Sequence, residues 1–171
     1  ALSNGSGVVL DGCTNSVVRQ CFVQNARGWA INLINTNDSE VSGNWITNAE
    51  VTGVVDDSQS AGDIQATYSS RRNIIIGNHC NSGGGVGIKV QTVADGDVSN
   101  ACIIANNTVQ NHSVYGILVY RNSQILPVLQ ALKGPVIIGN TIDGVSGDIV
   151  NTTTGTYTYG AGIYSQGAED S

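Results

Sequence analysis

Positive charge is scarce in this chain of 171 residues, which has 7 lysines and arginines against 13 aspartates and glutamates. The formal net charge is −6 at pH 7. Proteins that bind a nucleic-acid backbone carry clusters of basic side chains, so we expect no nucleic-acid partner. No apolar run approaches the roughly 18 residues of a membrane-spanning helix, so we expect no membrane partner either.

Methionine is absent altogether, and no signal-peptide pattern follows Ala1. We therefore expect residues 1–171 to form a single domain that is a fragment or processed piece of a longer chain. Charged residues make up only 12% of the sequence, whereas glycine, serine, threonine and asparagine are abundant. This composition is typical of a glycine-rich β scaffold whose surface is polar but uncharged.

Cysteine is also sparse, and the four cysteines lie at spacings that match no zinc motif, so we expect no metal site. Cys80 stands where the other copies of the repeat described below have valine or isoleucine, which predicts a core residue. Cys13 and Cys21 can approach each other, but we expect free thiols, which suit folding in a reducing cytoplasm.

One motif recurs along the chain: an Asn, then nine residues later a Gly, then an alternating apolar run. Asn107 leads in this way to Gly116, Asn78 to Gly87, and Asn44 to Gly53, while Asn140 leads to Gly162 after an insertion. The shortest repeat is 23 residues, which separates Gly7 from Ala30 and Ala30 from Gly53. A fixed period of this length indicates a repeat architecture.

Each repeat contains three short β-branched runs bounded by Gly, Asn and Ser, which predict strands rather than helices. Three strands per repeat predict one coil of a parallel β-helix, and the chain provides about five to six coils that bury their apolar residues by stacking. We expect a column of asparagines whose amides bond from coil to coil, because the amide both donates and accepts and asparagine tolerates the left-handed conformation. Its members are Asn44, Asn78, Asn107 and Asn140.

The longer repeats are expected to carry insertions on top of the 23-residue coil. With Gly53 to Val55 taken as a third strand, residues 56–73 form a long loop, and further insertions at 91–101 and 120–134 follow at the same corner. Such neighbouring insertions often form the binding face of a repeat protein. A last insertion at 144–161 lies at a different corner, and its alternating Thr and Tyr predict a small hairpin.

Carboxylates gather near the predicted corner and are our candidate catalytic residues. Glycoside hydrolysis needs a pair of carboxylates about 5 Å apart for retention or roughly 6.5–9.5 Å apart for inversion. Residues aligned one or two coils apart, at about 4.8 Å per coil, match these distances. Each of these aspartates could equally be an ordinary solvated loop residue. The candidates are Asp56, Asp57, Asp63, Asp95 and Asp97.

Candidate sugar-binding residues are aromatic rings that can stack on sugars and polar or cationic groups on outward strand faces and loops. Lys89 is also a candidate base for a lyase, or a solvated surface lysine, and we expect His79 and His112 to be surface residues. The full set is Trp45, Tyr68, Arg71, Lys89, Gln91, Tyr115, Tyr120 and Arg121.

The motifs Ile75-Ile-Gly-Asn-His-Cys80 and Val136-Ile-Ile-Gly-Asn-Thr-Ile142 resemble those of pectate-lyase-like right-handed parallel β-helices over nearly the whole chain. Within that group the sequence is most similar to the central shaft of a bacteriophage tailspike. The resemblance implies a homotrimer of the virion tail that folds in the host cytoplasm. It further implies binding and depolymerisation of a bacterial surface polysaccharide, either capsule or lipopolysaccharide O-antigen.

The resemblance implies glycoside hydrolysis with paired carboxylates and no cofactor. Two alternatives stay open. One is a secreted lyase or epimerase acting on uronic-acid polymers, for which calcium would be the cofactor. The other is a non-catalytic carbohydrate-binding or structural shaft.

Overall fold

The strands of the chain stack as successive coils of a solenoid. A computed structural model describes residues 5–49, 61–81, 83–92, 101–121, 132–133, 135–146, 148–151, 155–158, 161–166 and 168–169. Its described coils contribute to three parallel sheets that run along the solenoid. The elements assigned in this part of the chain are all strands, which confirms the predicted all-β parallel architecture.

Sheet 1 contains the first strand of each coil. Its strands are β2 (Val17–Arg19), β5 (Glu40–Ser42), β8 (Ile74–Ile76), β11 (Ile103–Ala105) and β15 (Val136–Ile138). Sheet 2 contains the second strand. Its strands are β3 (Phe22–Gln24), β6 (Trp45–Thr47), β9 (His79–Asn81), β12 (Thr108–Gln110) and β16 (Thr141–Asp143).

Sheet 3 contains the third and longest strand of each coil. Its strands are β1 (Val8–Asp11), β4 (Trp29–Ile34), β7 (Gly62–Thr67), β10 (Val86–Thr92), β13 (Tyr115–Arg121) and β19 (Ala161–Gln166). Two smaller pairs complete the described strands. These are β14 (Leu132–Lys133) with β20 (Ala168–Glu169), and β17 (Asp148–Asn151) with β18 (Gly155–Thr158). The second pair is antiparallel, which confirms the predicted hairpin.

The core consists of inward side chains that lie in register from coil to coil. In sheet 3, Ile31, Ile64, Ile88 and Ile117 form one such column, and all four are fully buried. Burial of each side chain of this size contributes roughly 1.5–3 kcal/mol. Since a single coil would leave both sides of these residues open to water, stability comes from the stack.

The asparagine column forms as predicted. The Nδ2 groups of Asn44, Asn78 and Asn107 each donate to the Oδ1 of the next asparagine at 2.9 Å, ending at Asn140. The backbone N–H of Cys21 donates to Asn44 Oδ1 at 3.0 Å, so Cys21 holds the corresponding place in the preceding coil. The side chains thus bond directly along the solenoid axis.

The expectation that these asparagines adopt the left-handed conformation is wrong. The residue before each asparagine takes that conformation instead, with φ of 59° at Gly43, 64° at Gly77, 54° at Asn106 and 66° at Gly139. Glycine adopts positive φ without steric cost, and asparagine is among the residues that tolerate it. This turn frees the following asparagine to direct its amide inward.

The predicted register of one coil is also wrong. Residues 62–67 are not part of a long loop but form β7, a buried strand in which Ile64 lies opposite Ile31. Asp63 therefore takes the place of Ala30 and Gly87 in the neighbouring coils. Gly53 to Val55 lie outside the described residues, between β6 and β7 in sequence.

The insertions consequently divide between two corners rather than gathering at one. Residues 93–100 and 122–131 separate a sheet 3 strand from the next sheet 1 strand, as expected. Residues 50–60, like the hairpin β17–β18, separate a sheet 2 strand from the following sheet 3 strand. Of the three insertions predicted to follow sheet 3 strands, two follow such a strand in sequence and the third precedes β7 instead; whether they lie side by side concerns residues outside the described part of the chain.

All four cysteines are free, with Cys80 and Cys102 buried and Cys13 and Cys21 half-buried. Burial raises the pKa of Cys80 well above its ordinary value of 9.0, and the neighbouring Asp63 adds to this shift. Since the thiolate is the reactive form, a buried thiol of raised pKa reacts slowly.

We therefore expect a thiol reagent to label Cys13 and Cys21 in the folded protein, and to reach Cys80 and Cys102 only after unfolding. Titration with a chromogenic disulfide, with and without denaturant, measures this difference. A variant with both Cys13→Ser and Cys21→Ser should show no rapid labelling when folded. Rapid labelling of all four thiols in the native protein would contradict the core placement.

Among the described residues, no helix is long and apolar enough to cross a membrane.

Candidate functional site

The outer face of sheet 2 carries a row of ring-bearing side chains, aligned one per coil. Phe22 lies opposite Trp45, and Trp45 lies opposite His79. Phe22 is 65% exposed and Trp45 is 50% exposed. The ring centroids of Trp45 and His79 are 4.0 Å apart and the planes meet at 28°, so the rings stack. His79 covers one face of the indole, and the remaining Trp45 surface is open.

Strand alternation explains why these rings point outward. The next residue in each strand, Val23, Ile46 or Cys80, packs in the core, and successive side chains of a strand point to opposite faces. Two residues after each ring, the outward side chain is polar. This polar row contains Gln24, Thr47 and Asn81, and Gln110 continues it.

A second polar row lies at the edge of the same face. Asn25, Asn48 and Asn111 each follow a sheet 2 strand, are exposed and adopt positive φ of 54–57°. The Asn111 amide donates to Asn81 Oδ1 at 2.9 Å, which links the two polar rows. The face therefore combines a strip of rings with adjacent amide groups that donate and accept hydrogen bonds.

The second unusual cluster is buried in the core. Asp63 and His112 are both buried, and Asp63 Oδ2 lies 3.2 Å from His112 Nε2. Among the described residues, both carboxyl oxygens and both imidazole nitrogens lack a hydrogen-bond partner. Burial raises the pKa of Asp63 above its ordinary value of 3.8, while His112 and Cys80 oppose this shift.

Two glycines make room for the imidazole. A Cβ added to Gly83 would lie 2.7 Å from His112 Cε1, and one added to Gly87 would lie 3.2 Å from His112 Cδ2. The cluster is therefore a packed part of the interior. Because its groups are out of contact with solvent, they influence stability rather than meet a polymer directly.

A groove of about 360 Å³ near the first coils is lined by charged side chains that the sequence analysis did not select. Arg72 Nε and Nη2 donate to the two carboxylate oxygens of Asp38, each at 2.6 Å, and Glu40 lines the same groove. This bidentate pairing lowers the pKa of Asp38 and occupies the guanidinium. The described residues contain no cluster of three or more His, Cys, Asp or Glu side chains that could hold a metal ion.

A family model described as a right handed beta helix region matches residues 2–168. The chain belongs to the right-handed β-helix family. No curated protein and no solved structure matches the chain. The family assignment gives the handedness of the solenoid and agrees with the three parallel sheets.

This right-handed β-helix distributes the candidate sugar-binding residues over separate surfaces. Trp45 lies on sheet 2, whereas Lys89, Gln91 and Tyr115 belong to sheet 3. Tyr68 and Arg71 lie at the corner between sheets 3 and 1: Tyr68 is exposed with φ of 57°, and Arg71 is half-buried. These residues therefore do not converge on one site.

Two sheet 3 candidates are buried. Lys89 is only 5% exposed, and its Nζ lies 5.7 Å from the centroid of the Trp29 ring, so the interpretation as a solvated lysine is wrong. Tyr115 is buried and stacks on Tyr164 with centroids 5.1 Å apart. Gln91 is half-buried. Tyr120 and Arg121 end β13, but their side chains lie outside the described part of the structure.

The other candidates agree only in part with their predicted positions. Asp63 is in a strand and not in a loop, and His112 is buried rather than at the surface. His79 is partly exposed beside Trp45. The remaining carboxylate candidates lie outside the described residues. They are Asp56, Asp57, Asp95 and Asp97.

The pairing of Phe22 with Trp45 and the polar rows beside them were not predicted from the sequence. The signal was available, because Phe22, Trp45 and His79 each directly precede an inward residue of the same strand column. Aligning the second strands, rather than inspecting aromatic residues singly, identifies the strip.

Proposed function

We propose that this right-handed β-helix binds a bacterial surface polysaccharide, capsule or O-antigen, along the outer face of sheet 2, and depolymerises it in the manner of a phage tailspike. The observation that carries the proposal is the exposed strip of Phe22 and Trp45 beside rows of amides. Sugar rings have apolar C–H faces that stack on aromatic rings, and their hydroxyls pair with groups that donate and accept.

The geometry of the strip suits a long polymer. Like residues recur about every 4.8 Å along the solenoid, so the rings and amides form a track across several coils. The rings and the amides of Gln24, Asn81 and Gln110 are carried by strands rather than loops, and strands hold side chains in fixed positions. A linear glycan lying along this track would contact several coils at once.

Depolymerisation is proposed to be glycoside hydrolysis by paired carboxylates, with Asp57 as the first candidate. A lyase acting on uronic-acid polymers is less well supported, because its candidate base, Lys89, is buried against Trp29. The hydrolase proposal includes no cofactor, and calcium belongs only to the lyase alternative. A shaft that binds glycan without cleaving it is the third possibility, and analysis of the products separates the three.

The tailspike proposal includes a homotrimer of the virion tail that folds in the host cytoplasm, with secretion as the alternative. Free thiols are compatible with cytoplasmic folding. Sheet 1 has an apolar outer face that packing between copies would bury. Its exposed apolar residues are Val17, Ile74, Ile103, Val136 and Ile138.

Replacing Trp45 with alanine is expected to weaken polysaccharide binding by about tenfold or more, a loss of at least ~1.4 kcal/mol. The indole supplies the largest ring surface of the strip, and truncation removes it without touching the core. Calorimetry with purified capsule and O-antigen from candidate hosts measures the effect. Val9→Ala, which trims an exposed apolar residue of sheet 3, should leave the affinity within about twofold. Equal affinities for Trp45→Ala and the parent protein would exclude sheet 2 as the binding face.

A further inference from the structure

We infer that the polysaccharide bound along sheet 2 is electrically neutral, built of hexoses and N-acetylhexosamines rather than uronic or sialic acids; this inference rests on the proposed function. The outward side chains of the sheet 2 strands include a single charged group, Asp143, at the end of the described sheet. Every other outward position on these strands carries an aromatic ring, an imidazole, a hydroxyl or an amide.

Recognition of an acidic sugar requires cations that pair with its carboxylates. Arginine and lysine are the side chains that do so, and arginine does so with two parallel hydrogen bonds. Among the described side chains, none of the lysines and arginines lies on a sheet 2 strand. Arg72 is paired with Asp38, and Lys89 lies over Trp29 inside the protein.

The nearest described cations in sequence are two exposed arginines, Arg19 at the end of β2 and Arg27 in the turn between β3 and β4, each three residues from β3. Both flank the first sheet 2 strand, whereas an acidic polymer presents charge at regular intervals along its whole length. The chain's net charge of −6 adds a general repulsion for polyanions. The electrostatic pattern therefore disfavours an acidic polymer.

The polar rows match a neutral polymer. Amides at Gln24, Asn81, Gln110 and Asn48 can each donate and accept, as can the sugar hydroxyl and acetamido groups that they would meet. A neutral sugar carries no charged group, so its binding to such a face does not require the removal of water from a charge. Specificity then comes from the spacing of amides beside the rings.

The test compares two sets of purified polysaccharides. The neutral set contains O-antigens of hexoses and N-acetylhexosamines together with dextran and galactomannan, and the acidic set contains uronate and sialate capsules together with polygalacturonate. The protein contains two tryptophans, Trp29 and Trp45, of which Trp29 is buried. A change in tryptophan fluorescence on titration therefore reports mainly on Trp45.

We expect a neutral polysaccharide to bind at pH 8, where histidine side chains are ordinarily neutral. Its affinity should change less than about twofold between 0.05 and 0.5 M NaCl, because salt screens only charged contacts. Arg27→Gln should leave that affinity unchanged, whereas Trp45→Ala should abolish the fluorescence response.

Binding confined to acidic polymers, weakened by salt and lost in Arg27→Gln, would overturn the neutral assignment while leaving polysaccharide binding intact. Failure of both sets to bind would overturn the proposed function as well. The two failures are thus distinguishable in one experiment.

Discussion

Replacing Asn78 with alanine is expected to lower the free energy of unfolding by about 3–5 kcal/mol, because several hydrogen bonds in a buried site are lost together. Asn78 Nδ2 donates to Asn107 Oδ1 and to the Val41 carbonyl, each at 2.9 Å. Asn78 Oδ1 accepts from the Asn44 backbone N–H at 3.0 Å and from Asn44 Nδ2 at 2.9 Å. Alanine would leave all four partners short of a bond in the interior.

Urea unfolding followed by circular dichroism measures this loss, and Asn140→Ala is the matched control. Asn140 also accepts from the backbone N–H and Nδ2 of the preceding asparagine, but its site is only partly buried. Water can replace some of its bonds, so we expect a smaller cost of about 1–2 kcal/mol. If the two variants were equally destabilised, burial would not set the strength of the column.

The asparagine column could be predicted because it depends on a repeat that the sequence displays openly. Asn44, Asn78 and Asn107 share a motif, and a parallel stack must bring equivalent residues together. The left-handed residue was assigned to the wrong position because both the asparagine and the residue before it are of types that tolerate positive φ. Only the turn geometry shows which of the two residues adopts positive φ, as Gly43 does rather than Asn44.

The register error at β7 has a different physical origin. Gly53-Val54-Val55 has the Gly followed by apolar residues that the motif requires, whereas β7 carries Asp63 at the Gly position before Ile64, so both pattern and spacing favoured the first. The structure places Ile64 in the core column. An insertion can precede or follow a strand at little difference in loop-closure cost, so the period alone does not locate it.

The alternation of inward and outward residues could not predict that the sheet 3 candidates are buried, for another reason. Alternation correctly assigns Lys89 and Leu118 to the same outward face, where they are paired in register. Both are nevertheless buried, in contrast to Val9 on the same face. Alternation tells which face a side chain occupies, whereas its exposure depends on what the rest of the chain places over that face.

Replacing His112 with leucine is expected to destabilise the protein by about 1–3 kcal/mol at neutral pH, because the buried Asp63 carboxyl group loses its polar neighbour while its desolvation cost remains. Asp63 would then hold its carboxylate in the core without the imidazole 3.2 Å away. Leucine fills a similar volume between Gly83 and Gly87, so the expected cost is electrostatic rather than a cavity.

The loss of stability in His112→Leu should be smaller at acidic pH than at neutral pH. Burial raises the pKa of Asp63 above 3.8, so the folded protein binds this proton more tightly than the unfolded chain. The contribution of Asp63 to stability is therefore full below pH 3.8 and is lost as the pH rises through the raised pKa. His112 opposes the shift, so its removal should carry the pKa of Asp63 higher and make His112→Leu less damaging at pH 4 than at pH 7.

The double variant Asp63→Ala with His112→Leu separates this mechanism from general damage to the core. Alanine is the residue that Ala30 already provides at the equivalent position of the preceding coil. Replacing both members of a buried polar pair by apolar groups is often neutral or stabilising, so the double variant should recover most of the stability lost in His112→Leu and show a flatter pH dependence. Urea unfolding of Asp63→Ala, His112→Leu and the double variant at pH 4 and pH 7 gives the coupling energy between Asp63 and His112. Additive losses in the two single variants would show that Asp63 and His112 do not act as a pair.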